Sequence, residues 1–201
     1  MSFISIEGCD GTGKSTQAKK LQEKLTDLGK KVFLTKEPGG SPLGQMIRTL
    51  LLENEIEDSL TELFLLSAAR RDHLLEIKKE LSQGKIVVTD RFSDSSLAYQ
   101  GYAKGLALHK IAFITDLATD GFMPDLTILL DLDLEIMHER ILQSAKHNNF
   151  YDKKDLAFHK KVKSGFLKIA KLYPDRVVIL DANKSREELS DEILKIVLSR
   201  L

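Results

Sequence analysis

The 201-residue sequence predicts an α/β fold, a five-stranded parallel sheet with helices on both faces, and three features lead there. Short apolar runs alternate with long helical patterns, the order that βαβ units produce. The runs are rich in branched residues, as strands covered on both faces tend to be. A glycine-rich loop joins the first run to the first helical pattern, where open parallel sheets place phosphate-binding turns.

The first strand is Phe3-Ile4-Ser5-Ile6, and the helix after it repeats Ala18, Leu21, Leu25 and Leu28 at steps of three and four before stopping at Gly29. Val32-Phe33-Leu34 forms the second strand, and the helical run Leu60 to Leu81 precedes the third, Ile86-Val87-Val88. Leu126 to Leu130 and Val177 to Leu180 complete the sheet. The last helix opens at Ser185 with Glu188 three residues on, the pattern of a capping box, and Leu189, Ile193, Ile196 and Val197 make its apolar stripe. No repeat or linker interrupts the chain, so residues 1–201 are expected to form a single domain.

Composition narrows the function. Thirty basic residues balance thirty acidic ones, so the chain lacks the basic excess that makes nucleic acid or an anionic membrane a default partner. The single cysteine, Cys9, allows neither an internal disulfide nor a multi-cysteine zinc site and fits a reducing compartment. No apolar run approaches the ~20 residues that span a bilayer. Met1 to Glu7 reach the glycine-rich loop too soon to form a signal peptide. The expectation is a soluble, cytoplasmic protein.

Gly8-Cys9-Asp10-Gly11-Thr12-Gly13-Lys14-Ser15 satisfies the G-x-x-x-x-G-K-[ST] phosphate loop, and it lies between a strand and a helix as that motif requires. Backbone N–H groups would curl around phosphate oxygens, Lys14 would reach the outer phosphates, and the Ser15 hydroxyl is placed to ligate Mg²⁺. The nucleotide site so read runs from Gly8 through Thr16. Cys9 stands at a helix N-terminus, which can depress a thiol pKa, but has no histidine near in sequence and reads as a small loop filler. The loop alone says that a nucleoside triphosphate binds, since switches, motors and small-molecule kinases all carry it.

Further polar groups follow strand C-terminal ends, where such sheets bind ligands. Lys36-Glu37-Pro38-Gly39-Gly40 follows the second strand, with Arg48 on the next helix and Arg70 inside the long one. The third strand runs into Asp90-Arg91-Phe92 and on through Ser95-Ser96-Leu97-Ala98-Tyr99-Gln100-Gly101. Asp90 is placed to hold Mg²⁺ directly or through water. Arg48, Arg70 and Arg91 exceed what one triphosphate with a metal needs, which points to a second anionic substrate. His73, His109, His138, His147 and His159 show no metal-ligand spacing and are assigned to surface or packing roles, while Lys78-Lys79 and Lys160-Lys161 read as solvated helix faces.

These segments together resemble the bacterial thymidylate kinases, and the likeness extends from about Phe3 to Asp181-Ala182. The resemblance implies a P-loop fold of the nucleoside monophosphate kinase type, usually a homodimer, that transfers the γ-phosphoryl group of ATP to dTMP with Mg²⁺. It implies that Asp10 approaches the 3′ side of the deoxyribose and that Tyr99 crowds the 2′ position. Arg70, Ser96 and Gln100 would frame thymine, with Ser95 in the same segment, and Arg48 and Arg91 would hold the acceptor phosphate. Glu37 and Asp90 would lie near the metal, and Arg140 and the backbone around Asn183 would flank adenine. Lys14, Asp10, Arg91 and Arg140 would be the catalytic set.

The chain departs from that family at three places. Leu66, four residues before Arg70, stands where a phenylalanine stacks on thymine, and Lys36 replaces an arginine before Glu37. A lid at about 143–155 lacks the usual arginines, leaving Arg140 with Lys146, Lys153 and Lys154 nearby. The nearer alternative, another small-molecule P-loop kinase such as a deoxynucleoside kinase, is opposed by the Glu37 to Gly40 and Ala98 to Gly101 segments; the other is a non-catalytic nucleotide-binding or interaction protein with a degraded lid.

Overall fold

The computed structural model describes residues 2–143 and 154–201. Its five strands are β1 (Phe3–Glu7), β2 (Val32–Lys36), β3 (Ile86–Asp90), β4 (Leu126–Asp131) and β5 (Val177–Asp181), all parallel in the order β2-β3-β1-β4-β5. Each expected strand is present and runs one or two residues further at its C-terminal end, taking in Glu7, Lys36, Asp90, Asp131 and Asp181. The ladder continues there, with Ile6 opposite Asp90, Lys36 opposite Asp90 and Asp131 opposite Asp181. An apolar run marks only the covered part of a strand, whereas backbone pairing extends to the polar edge from which the loops leave.

The helices are α1 (Lys14–Asp27), α2 (Pro42–Glu53), α3 (Ser59–Ser82), α4 (Ser93–Ser96), α5 (Leu108–Thr119), α6 (Leu134–Gln143), α7 (Leu156–Leu172) and α8 (Arg186–Leu198), with a π-helical segment, Leu97–Ala103, after α4. Their starts follow local chemistry. The Ser41 hydroxyl accepts from the Gly44 N–H with Pro42 in the first turn, Asp58 caps α3 through the Thr61 N–H, and Ser185 and Glu188 form the full capping box of α8. Leu28 departs from the expected stripe. It is the C-cap residue of α1 and lies exposed, because α1 has already ended at Asp27, and of the stripe Ala18, Leu21 and Leu25 face inward.

Alternation along β1 and β3 divides the core. Phe3 and Val87, paired in register, pack with Leu74, Ile77 and Leu81 of α3 and with Phe92. Ile4, Ile6 and Val88, on the opposite face, join the cluster that contains Leu21 of α1 and Ile193 of α8. Phe3 meets Phe92 edge-on at 5.0 Å and stacks on Phe122 at 5.7 Å. This packing pins the start of the loop after β3 to the start of β1. The loops after β1 and β3 therefore leave from adjacent central strands, and the phosphate loop and Arg91 are neighbours although 81 positions separate Asp10 from Arg91. No helix among the described residues is long and apolar enough to cross a membrane.

Candidate active site

The phosphate loop is closed by its own groups. Thr12 Oγ1 donates to the Cys9 carbonyl at 2.8 Å, and Lys14 Nζ donates to the same oxygen at 2.6 Å. Gly11 has φ +78°, a conformation that favours glycine, and a Cβ there would press on the Met137 carbonyl at 3.1 Å and Ile141 Cγ1 at 3.2 Å. Burial, and then the nearby Arg91 charge, lower the pKa of Lys14. Burial, with Asp10 next to it, pushes the Cys9 thiol up to about 12, so it is no thiolate nucleophile. The Ser15 hydroxyl bonds Asp90 Oδ2, while Asp90 Oδ1 is buried and accepts no hydrogen bond among the described residues. Thr16 is exposed one position on.

Arg91 spans from this loop to the adjacent pocket. Its Nη1 donates to the Gly8 carbonyl at 3.0 Å and to Ser95 Oγ at 3.1 Å, and its Nη2 donates to Asp10 Oδ1 at 2.6 Å and Tyr99 Oη at 3.0 Å. The backbone at Arg91 is left-handed, φ 75°, a conformation costly for a residue with a Cβ and held here by these contacts. The Tyr99 hydroxyl in turn donates to Asp10 Oδ2 at 2.7 Å. Burial pushes the phenol pKa far up, so Tyr99 stays a donor. Burial alone would raise the Asp10 carboxyl too, but Arg91 and Lys14 outweigh it and hold it well below the usual carboxylate range.

Beyond Asp10 and Arg91 opens a pocket of about 140 Å³. It brings together the sequence-predicted residues Asp10, Glu37, Arg48, Leu66, Arg70, Arg91, Ser95, Ser96, Tyr99 and Gln100. The π-helical turn carries Tyr99 and Gln100 to its wall, a setting in which such turns recur. Arg48 Nη1 donates to the Pro38 carbonyl at 2.9 Å. Arg70, only 2% exposed, gives Nε to Glu37 Oε2 at 2.8 Å and both Nη groups to Ser96 Oγ at 3.1 Å. Of the two acids that the resemblance sets near a metal, Asp90 meets Ser15, whereas the Glu37 carboxylate is turned to Arg70 and His73.

Other expected residues stand apart. Arg140 is exposed on α6, on the face flanking Met137 and Ile141, and Asn183 is exposed after β5 with its amide on Asp181 Oδ1 at 2.7 Å. Lys146 and Lys153, with most of the expected lid, lie outside the described residues.

Two buried groups of this region were not singled out by spacing. His73, expected in a surface or packing role, is buried and bonds Glu37 Oε1 at 3.0 Å, within the polar framework of the pocket. Its place three positions after Arg70, on the face shared with Leu74 and Ile77, was the available signal. Glu7, an acid ending an apolar strand, accepts from the Phe92 N–H at 2.7 Å and from Ser95 Oγ at 2.7 Å, and so ties the loop after β3 to β1.

Burial first, and then the Asp94 charge, raise the Glu7 pKa from 4.5 to about 7. The unfolded chain gives up this proton near its ordinary value and the folded protein near 7, so the folded state holds more protons between those values. Glu7 therefore contributes a loss of stability as pH rises through that window, on the order of 3 kcal/mol in full. Glu7→Gln should remove it. Thermal melts at pH 5 and pH 8 should show a fall in Tm for the parent that is smaller in the variant, and equal falls would mean that Glu7 is already ionised throughout.

Comparisons with known proteins point to one family. A family model described as thymidylate kinase matches residues 6–193. The chain is 44% identical over 203 residues to a thymidylate kinase of Geobacillus thermodenitrificans, covering 99% of this chain and 90% of that one. It is 41% identical over 201 residues to one of Staphylococcus haemolyticus, covering 100% and 98%. The crystal structure of the thymidylate kinase from Ehrlichia chaffeensis superposes with a TM-score of 0.81 at 36% identity, covering 98% of each chain.

Proposed function

The chain belongs to the thymidylate kinase family, and from that premise we propose that the pocket receives dTMP with its phosphate towards Arg48 and Arg91 while Gly8 to Thr16 hold ATP. The protein is a nucleoside monophosphate kinase that moves the γ-phosphoryl group of ATP to dTMP, giving ADP and dTDP. The observation that carries the site assignment is the Asp10–Arg91–Tyr99 cluster. Asp10 belongs to the phosphate loop and also lines the pocket, so donor loop and acceptor pocket share one wall.

The acceptor phosphate is itself the nucleophile, and the protein's task is alignment and charge neutralisation. Lys14 and Arg91 supply positive charge at the junction, with Arg91 oriented by Asp10 and Tyr99. Tyr99 is placed against the sugar, and Arg70, Ser96 and Gln100 against the base. Arg140 and the backbone at Asn183 are assigned to adenine. Ser15 and Asp90 would hold Mg²⁺, and the buried Oδ1 of Asp90 beside a hydroxyl forms the oxygen donor set that this ion selects. When bound, the ion neutralises charge on the β- and γ-phosphates. We read residues 1–201 as one kinase domain acting in the cytoplasm, and as a homodimer. Phe64 on α3 and Phe113 and Leu117 on α5 stand exposed on adjoining helices, an apolar face that a second copy would cover.

A coupled assay of ATP and Mg²⁺ with a panel of acceptors tests this reading. Its expected outcome is the highest kcat/KM for dTMP, and a higher value for AMP, CMP or thymidine would overturn it.

The wall beside the base offers a finer prediction. Leu66 clusters with Leu51 and Ala69, and Phe64 points outward at 55% exposure, so neither the α2 side nor Phe64 supplies a ring there. Leu66→Phe should lower the KM for dTMP by up to about tenfold, as aromatic contacts worth roughly 0.5–1.5 kcal/mol allow, with the KM for ATP unchanged. A raised KM for dTMP would mean that the added ring crowds the pocket.

A further inference from the structure

We propose that His73 is a positioning residue for the acceptor site, acting through Glu37 on Arg70, an inference that rests on the reading of the pocket as the dTMP site. The contacts form one chain across three elements. Thr35 on β2 meets His73 Nε2 at 2.7 Å, His73 Nδ1 meets Glu37 Oε1 at 3.0 Å, and Glu37 Oε2 accepts from Arg70 Nε at 2.8 Å. Arg70 then reaches Ser96 Oγ at 3.1 Å and the Phe92 carbonyl at 3.3 Å. His73 and Arg70 are 1% and 2% exposed and Glu37 is 5% exposed, so water does not substitute freely for any link.

The two ring nitrogens face different partners. Nδ1 meets a Glu37 carboxylate oxygen, and Nε2 meets the Thr35 hydroxyl. Glu37 is thus gripped by one oxygen from His73 and by the other from Arg70. Without the first grip, the carboxylate is free to turn about its own side chain, and the Arg70 guanidinium loses the edge that fixes its plane. The Glu37–Gly40 loop is built around the ring: a Cβ on Gly40 would lie 2.0 Å from His73 Nε2. His73 therefore fixes both the acid and the loop that presents it.

Two substitutions separate positioning from packing. Asparagine places an amide N–H where Nδ1 stands and leaves a gap behind it, whereas glutamine fills more of the space but carries its amide at the Nε2 position. A packing role favours His73→Gln over His73→Asn, and the positioning role favours the reverse. Steady-state kinetics with ATP and dTMP should show His73→Gln raising the KM for dTMP by about tenfold and His73→Asn by less than about threefold, with the KM for ATP within about twofold of the parent in both. Gly40→Ala, which displaces the ring without deleting any polar group, should follow the glutamine variant and keeps the test available if either histidine variant fails to fold.

Arg70→Ala serves as the reference. If it leaves the KM for dTMP unchanged, the pocket assignment fails and the inference with it. If it raises that KM while the asparagine and glutamine variants shift together, or while the KM values for ATP and dTMP rise in parallel, the pocket stands and the role of His73 is overturned. A folded Gly40→Ala variant with an unchanged KM for dTMP overturns it as well.

Discussion

Lys14→Ala is expected to lower kcat by about 10²–10³-fold or more, with a Tm within a few degrees of the parent. The ammonium is buried, its nearest partner is the Cys9 carbonyl at 2.6 Å, and burial and the Arg91 charge both work against it. Asp10 and Asp90 compensate in part. A cation held in this way is poised for the negative charge that builds on the phosphoryl group in transfer, and its loss is felt in the transition state. The fold should survive, because the substitution removes a buried charge without stranding an opposite one that depends on it alone: Asp10 keeps Arg91 and Tyr99, and Asp90 keeps Ser15. Rates at saturating dTMP together with thermal melts check both halves. A kcat within tenfold of the parent would place the outer phosphates away from Lys14.

Arg91→Ala should cost about 10³-fold in kcat, the lower end of what an arginine at a transferring phosphoryl group contributes in P-loop enzymes. Its guanidinium simultaneously holds the Gly8 carbonyl, Ser95, Asp10 and Tyr99, and so aligns the loop with the pocket. Arg91→Lys should recover little of the loss, because a compact ammonium cannot reproduce a planar fork across four partners. Both variants keep a Cβ at φ 75°, so they carry the same backbone strain as the parent and the comparison isolates the side chain. The fall in kcat should exceed the rise in KM for dTMP. A raised KM with kcat reduced less than tenfold would assign Arg91 to ground-state binding.

Much of this site was legible in the chain. The phosphate loop announces itself because its backbone conformation demands glycines at set positions, Gly8 at φ +143° and Gly13 at φ +91°, and because Lys14 and Ser15 follow at the helix start. Arg48, Arg70 and Arg91 were found through their relation to strand ends, and all three line the pocket. Leu28 continues the three-and-four spacing of Ala18, Leu21 and Leu25 and yet lies exposed, because α1 ends at Asp27 and Leu28 is its C-cap. For His73 the sequence supports only a surface or packing role, because local spacing shows at most that a residue faces inward and not what it meets there.

The sequence by itself determined the five parallel strands, the helices between them and the glycine-rich loop after β1, since these follow from short-range rules: the periods of strand and helix, the capping residues, and the glycines of a tight turn. Only the tertiary structure decided which polar groups share a hydrogen bond. Glu7 finds Phe92 and Ser95 at separations of 85 and 88 positions, and Glu37 finds Arg70 and His73 at 33 and 36. These partners are set by strand order and by where β1, β3 and α3 pack. A buried donor or acceptor must be satisfied by whatever the fold brings within about 3 Å, and that neighbour leaves no periodic trace along the chain.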